Sequence, residues 1–204
     1  MTGLAVAASW ILCLLALVAP GTALGGEQDH EPLAASVRTA LHRDISDHGV
    51  PNVAFDTEAD ARRWLGAMSR RLARRIPDRI VRNEFLVTVH YEAKRAGLDP
   101  QLVLALIQVE SDFRKYAVSS AGARGFMQVM PFWVKLIGES HHNLFHLRIN
   151  LRYGCIILRH YLDLEKGHYF RALGRYNGSL GRPEYPRAVL AAWKVRWGYQ
   201  GATS

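Results

Sequence analysis

The sequence has 204 residues, 49% hydrophobic and 22% charged, with 26 Lys+Arg against 18 Asp+Glu and a net charge of +8. That length accommodates one domain with an extension and a self-sufficient core, and the composition excludes disordered and collagen-like chains. Residues 1–26 carry no charged side chain, so the whole excess of positive charge lies downstream.

Leu4–Val18 is an unbroken run of apolar and small residues, followed by Pro20, Gly21 and TALGG. It is short for a bilayer-spanning helix, which needs roughly 20 residues, but suits the core of a signal peptide. Cleavage after Gly25 would place Ala23 and Gly25 at the two small-residue positions; an uncleaved anchor is the alternative. Residues 1–25 are therefore read as a signal peptide and the rest as an exported, periplasmic chain with no further membrane span. Cys13 falls inside the apolar run and leaves Cys155 alone, so neither an internal disulfide nor a cysteine-based metal site is expected. An exported protein without disulfides fits a bacterial periplasm.

Residues 27–57 show little periodicity and are expected to be a weakly structured lead-in. From Glu58 to Ile76 the residues Ala61, Trp64, Leu65, Met68, Leu72 and Ile76 form one helical stripe, with arginines mostly elsewhere, and Pro77 ends it. A second helix is predicted from Ile80 to Arg95, stopping at Gly97. The next has the clearest start: Asp99 as N-cap and Pro100 at the first helical position, leading into QLVLALIQVES. Asn150 is predicted to cap LRYGCIILRHYLDLE, and short helices are expected near Phe170–Arg175 and Pro186–Trp197. No hairpin signal or repeat is present, so the fold class is all-α.

Val103, Leu106, Ile107 and Glu110 fall at i, i+3, i+4 and i+7, which puts Glu110 on an apolar stripe. A carboxyl group buried there is expected to have a raised pKa, as a general acid for glycosidic cleavage requires. Exposure in a groove, or neutralisation by an arginine, would make the same residue structural. Downstream, SSAGARGFMQVMP combines small residues with Gly122 and Gly125, which permit close backbone approach, and with Gln128, whose amide suits sugar hydroxyls. Tyr176-Asn177-Gly178 adds an aromatic and an amide near a helix end. Each of these alone also reads as a turn with capping residues.

Taken together, Gln108-Val109-Glu110-Ser111, Ser119, GARGFMQVMP and Tyr176-Asn177-Gly178 resemble the soluble lytic transglycosylase catalytic domain, over roughly Asn83 to Trp197. The resemblance implies a lysozyme-like, goose-type-related helical fold and cleavage of peptidoglycan. It implies residues 26–78 as a helical extension or linker and 79–200 as the catalytic domain. Glu110 matches the single catalytic acid/base, and Ser111 completes the Glu-Ser signature. Ser119 matches a serine near the reacting sugar, and Gln128 and Met130 match residues of the saccharide groove. Tyr176 and Asn177 match the pair facing the glutamate, with Tyr176 expected on its carboxyl and Asn177 on the glycan. Phe126 stands where leucine is more usual, and His146-Leu147 where relatives often have Asp-Pro.

Most glycosidases use two carboxylates. Asp112, two residues beyond Glu110, should point away, and neither Glu139 nor Glu184 has a motif behind it. One acid/base is what the family implies, with the muramoyl C6 hydroxyl closing a 1,6-anhydro ring. A hydrolytic goose-type lysozyme is the nearest alternative, followed by a non-catalytic peptidoglycan-binding or secretion-assembly protein. Export and the lack of a basic motif interleaved with aromatics argue against nucleic acid. His141, His142 and His146 lack any HExxH or cysteine partner and are read as surface residues, so no metal or other cofactor is expected. Trp193 and Trp197 read as core packing, Tyr116 and Trp133 as possible groove residues, and Cys155 as a buried hydrophobe. The expected partner is the glycan strand, with secretion or cell-wall machinery docking through residues 27–80. Ten basic and five acidic residues between Glu58 and Arg95 suggest a basic outer face.

Overall fold

A computed structural model describes residues 33–46, 49–53, 55 and 57–199. The signal segment, with Cys13 and the cleavage position, lies outside them. Within them are eight α-helices: α1 (Ala35–Ile45), α2 (Glu58–Leu72), α3 (Arg79–Arg95), α4 (Pro100–Ser111), α5 (Phe132–Ile137), α6 (Leu147–Leu164), α7 (Tyr169–Asn177) and α8 (Glu184–Ala191). A π-helical turn, Ala192–Trp197, continues α8. The described residues hold no strand ladder, only single bridges joining Val118 to Arg124 and Arg124 to Val129. The fold is all-α, and no described helix is long and apolar enough to cross a membrane.

Local chemistry accounts for the helix starts. Thr57 Oγ1 accepts from the Asp60 N–H at 3.1 Å, Asp78 Oδ1 from the Ile80 and Val81 N–H groups, and Asp99 Oδ1 from the Gln101 N–H at 2.7 Å. Helix α4 begins as its sequence predicts, at Pro100 behind the Asp99 cap. It is apolar nearly all round, not along one stripe, because it runs through the centre with α3, α8 and the π turn packed on it. Trp197, fully buried, donates its indole N–H to Gln108 Oε1 at 2.8 Å, and the half-buried Trp193 donates to Asp99 Oδ2 at 3.1 Å. Both tryptophans serve packing, as expected, and Cys155 is buried.

Three elements differ from the sequence reading. Residues 35–45 form helix α1, which packs on α5 and α6 and contributes Leu41 and Ile45 to the core. Its C-terminal end is held by arginines gathered on the fully buried Glu92 of α3. Arg95 contacts Glu92 at 3.0 Å and donates to Asp44 O; Arg152 contacts it at 3.2 Å and donates to Ile45 O; Arg148 contacts it at 3.2 Å and donates to Gly49 O. Three charge-assisted partners satisfy a carboxylate that would otherwise be costly to bury. Beyond them, Phe55 stacks on His90 at 4.6 Å, with Trp64 edge-on at 5.0 Å.

Asn150 is not the cap of α6, which starts three residues earlier at Leu147. Its buried amide faces the glycine-rich loop, accepting from the Met127 N–H at 2.8 Å and donating to Arg124 O and Leu144 O. The basic stretch is also less of an outer face than its composition suggests. Arg82 is buried and donates to Ser69 Oγ, Ile76 O and Pro77 O; Arg71 donates to Gly198 O, and Arg75 pairs with Asp112.

Candidate active site

Helix α4 delivers Glu110 to the centre of the molecule in its last turn. The residue is 4% exposed, as its place on the apolar stripe predicts. Burial pushes the carboxyl pKa up from 4.5 to about 8, while a hydrogen bond from Tyr185 opposes the rise. That bond runs from the Tyr185 hydroxyl to Glu110 Oε1 at 2.5 Å. Tyr185 comes from the first turn of α8 and is itself buried. Burial, reinforced by Glu110 and Tyr176, raises its pKa well above 10, so it stays a donor at neutral pH. The site thus presents a neutral carboxylic acid held at one oxygen by a neutral phenol. Asp112 points away as expected, with its backbone left-handed at φ 45° and its carboxylate on Arg75.

The glycine-rich loop is fastened to the end of α4. Ser111 Oγ donates to Phe126 O at 2.7 Å, and its 1% exposure leaves it no surface toward a ligand. Its contribution is therefore to position the loop. Gln128 takes φ 49°, and its Nε2 donates to Gly125 O at 2.9 Å and Ala117 O at 3.1 Å. The amide expected to meet sugar is thus spent in part on holding its own loop. Gly125 has φ +77°, and a Cβ there would lie 2.6 Å from Leu144 O and 2.5 Å from Asn150 Nδ2. Only glycine fits. Ser119 Oγ accepts from the Ala123 N–H at 3.1 Å, and Met130 packs half-buried against the core.

Tyr176 and Asn177 close α7 and do not lie beyond it; both are buried, and Gly178 follows in the left-handed conformation. The Tyr176 hydroxyl donates to Met127 O at 2.7 Å. The hydroxyl that donates to Glu110 Oε1 is that of Tyr185, a residue sequence reasoning missed. Trp133 is buried in the core, whereas Tyr116 is 71% exposed beside Phe145. Cavities of 530 to 700 Å³ open elsewhere on the surface, and Glu110 lines none of these four.

Residues 88–187 match the family described as the transglycosylase SLT domain. The match covers just under half of the chain. The SLT match takes in α4, the glycine-rich loop, α5, α6, α7 and the Tyr185 turn. Among similar proteins, membrane-bound lytic murein transglycosylase C of Actinobacillus pleuropneumoniae serotype 5b is 50% identical over 48 residues, which are 24% of this chain and 13% of the relative. A transglycosylase of Enterobacteria phage PRD1 is 30% identical over 121 residues, 56% of this chain and 44% of the relative. The lytic transglycosylase Slt of Pseudomonas aeruginosa, solved by X-ray as an inactive mutant, aligns with TM-score 0.44 and 21% identity over 81% of this chain and 32% of that one. The chain therefore spans less than half the length of each.

Within the matched segment, one trio among the described residues brings metal-ligating atoms within 4.8 Å of one another: Glu139, His141 and His142. Its Glu139–His141 contact is 3.5 Å, and His142 Nδ1 meets the Tyr153 hydroxyl at 2.8 Å.

Proposed function

We propose that this chain is a peptidoglycan lytic transglycosylase in which Glu110 is the single acid and base. The observation that carries the reading is the buried Glu110 carboxyl, pushed to about pKa 8 and bonded to Tyr185, at the junction of α4 and the glycine-rich loop. A carboxylic acid still protonated at neutral pH is a donor, and its conjugate base is strong enough to recover a proton. Burial raises its pKa and the Tyr185 hydrogen bond opposes the rise.

Glu110 passes its proton to the glycosidic oxygen between N-acetylmuramic acid and N-acetylglucosamine. The C1–O bond breaks with its electron pair on that oxygen, which leaves as the 4-hydroxyl of N-acetylglucosamine. The muramoyl acetamido group stabilises the cationic C1. The Glu110 carboxylate then takes the proton of the C6 hydroxyl as that oxygen bonds to C1. A 1,6-anhydro ring forms, the acid is regenerated, and no water is consumed. The Tyr185 hydroxyl holds the carboxyl through both halves of the cycle.

Asn177, Ser119, Gln128 and Met130 line the saccharide path in this reading, while Ser111 and the fully buried Tyr176 position the loop. Residues 79–200 are the catalytic unit, 26–78 its extension and 1–25 its export signal, and the enzyme works on wall glycan in the periplasm. The relatives' names, murein transglycosylase among them, support the same substrate. Digestion of purified peptidoglycan tests this: muropeptides ending in anhydromuramic acid, one water lighter than reducing ends, are expected. Reducing ends alone would make the enzyme a hydrolase.

A further inference from the structure

The segment that joins α5 to α6 gathers three metal-ligating side chains. Residues 139–142 form a tight turn, closed by the His142 N–H donating to Glu139 O at 2.9 Å. The turn brings its first, third and fourth side chains together, so that one ligating atom each of Glu139, His141 and His142 lies within 4.8 Å of the others. Glu139 Oε2 is 3.5 Å from His141 Nδ1. The two imidazole rings stand edge to face, with centroids 4.9 Å apart.

The fold holds this turn in place. The Gly138 N–H donates to Val134 O at 3.0 Å, and the buried Tyr153 of α6 lies against the same glycine. A Cβ at Gly138 would lie 1.4 Å from the Tyr153 oxygen, so glycine is what lets the phenol reach the turn. There its hydroxyl meets His142 Nδ1 at 2.8 Å. A hydrogen bond to one ring nitrogen fixes the plane of the imidazole, the support that metal-bound histidines ordinarily have. Glu139 and His141 remain open to solvent, with side chains 41% and 74% exposed, so an ion has a way in. Further along, Leu144 O accepts from the Asn150 amide, whose oxygen takes the Met127 N–H of the glycine-rich loop.

Two imidazole nitrogens and one carboxylate oxygen suit Zn²⁺, with the fourth tetrahedral position left to water. Ca²⁺ and Mg²⁺ need several oxygen donors, and this turn offers one carboxylate. Arg124 and Lys135, which line the adjoining cavity, further disfavour a cation held by charge alone. We propose that Glu139, His141 and His142 bind a divalent transition-metal ion of the Zn²⁺ class, which clamps the turn between α5 and α6. Through Leu144 and Asn150 the same clamp steadies the glycine-rich loop. The site is independent of the Glu110 chemistry.

Titration calorimetry of the untagged full chain, first stripped with a chelator, tests the site with zinc chloride as the probe. One equivalent should bind. With free Zn²⁺ at about 100 times Kd, thermal unfolding should move up by roughly 5–10 °C. His141→Ala combined with His142→Ala should abolish both effects, and Tyr153→Phe, which touches no ligand atom, should weaken binding about tenfold. Where the double variant fails to fold in chelator, the single variants Glu139→Ala and His141→Ala carry the comparison, since both side chains are exposed. Co²⁺ in place of Zn²⁺ should give the visible absorption of a four-coordinate site, lost in the histidine variants. No binding by wild type, or an unchanged Kd when the ligand residues are replaced, overturns the proposal. Ca²⁺ binding as tightly as Zn²⁺ overturns it as well.

Discussion

Replacing Glu110 by Gln keeps an oxygen for the Tyr185 hydroxyl and removes the ionisable group, so it isolates the energetic cost of the buried acid. The carboxyl ionises near 4.5 in the unfolded chain and near 8 in the folded one. Between those values the folded state holds the extra proton, and stability therefore falls as pH rises, by roughly 1.4 kcal/mol per unit. The loss is absent below the unfolded value and levels off above the folded one. From pH 5 to pH 7 it accumulates to about 3 kcal/mol, a large share of the roughly 5–15 kcal/mol of a typical domain. Urea unfolding of both proteins at pH 5, 6, 7 and 8 reads it directly. Glu110→Gln should be inactive, and its stability advantage over wild type should widen steadily across the series. Parallel stability curves would refute the argument, since they would mean that the carboxyl titrates alike folded and unfolded.

Tyr185→Phe removes the one interaction that lowers the Glu110 pKa. The alkaline limb of the kcat–pH profile should move upward, with kcat down roughly tenfold. An unmoved limb would remove Tyr185 from the site. Glu92→Ala leaves three arginine heads without their shared buried anion. A loss of about 3–5 kcal/mol is expected in denaturant unfolding, together with early proteolysis in the α1 segment. Gly154→Ala would put a Cβ 2.4 Å from Met127 Sδ and 2.7 Å from Met127 Cβ. That overpacking should cost about 1–3 kcal/mol in thermal unfolding and lower kcat by displacing the loop.

Glu110 was legible because it combines two local signals, a well-marked helix start at Asp99-Pro100 and a period that carries an acid onto the apolar face. Tyr185 was not. It sits between Pro183 and Pro186, 75 residues beyond its partner, and only the packing of α8 on α4 brings them together. Its near neighbour Tyr176 carries the more conspicuous motif, yet its proton goes to Met127 O. Helix α1 escaped notice for a related reason. It has no side-chain N-cap, and its anchors are backbone carbonyls reached by arginines from α3 and α6. Asn150 read as a cap because asparagine favours that position locally, whereas its buried amide answers to a loop 23 residues away.

In the proposed cycle the Glu110 carboxylate recovers its proton from the sugar's own C6 hydroxyl and not from water. Digestion of purified peptidoglycan in water enriched in heavy oxygen, with mass analysis of the new muramoyl ends, tests it most directly. Anhydro ends that carry no heavy oxygen are expected. Reducing ends labelled with solvent oxygen would contradict it.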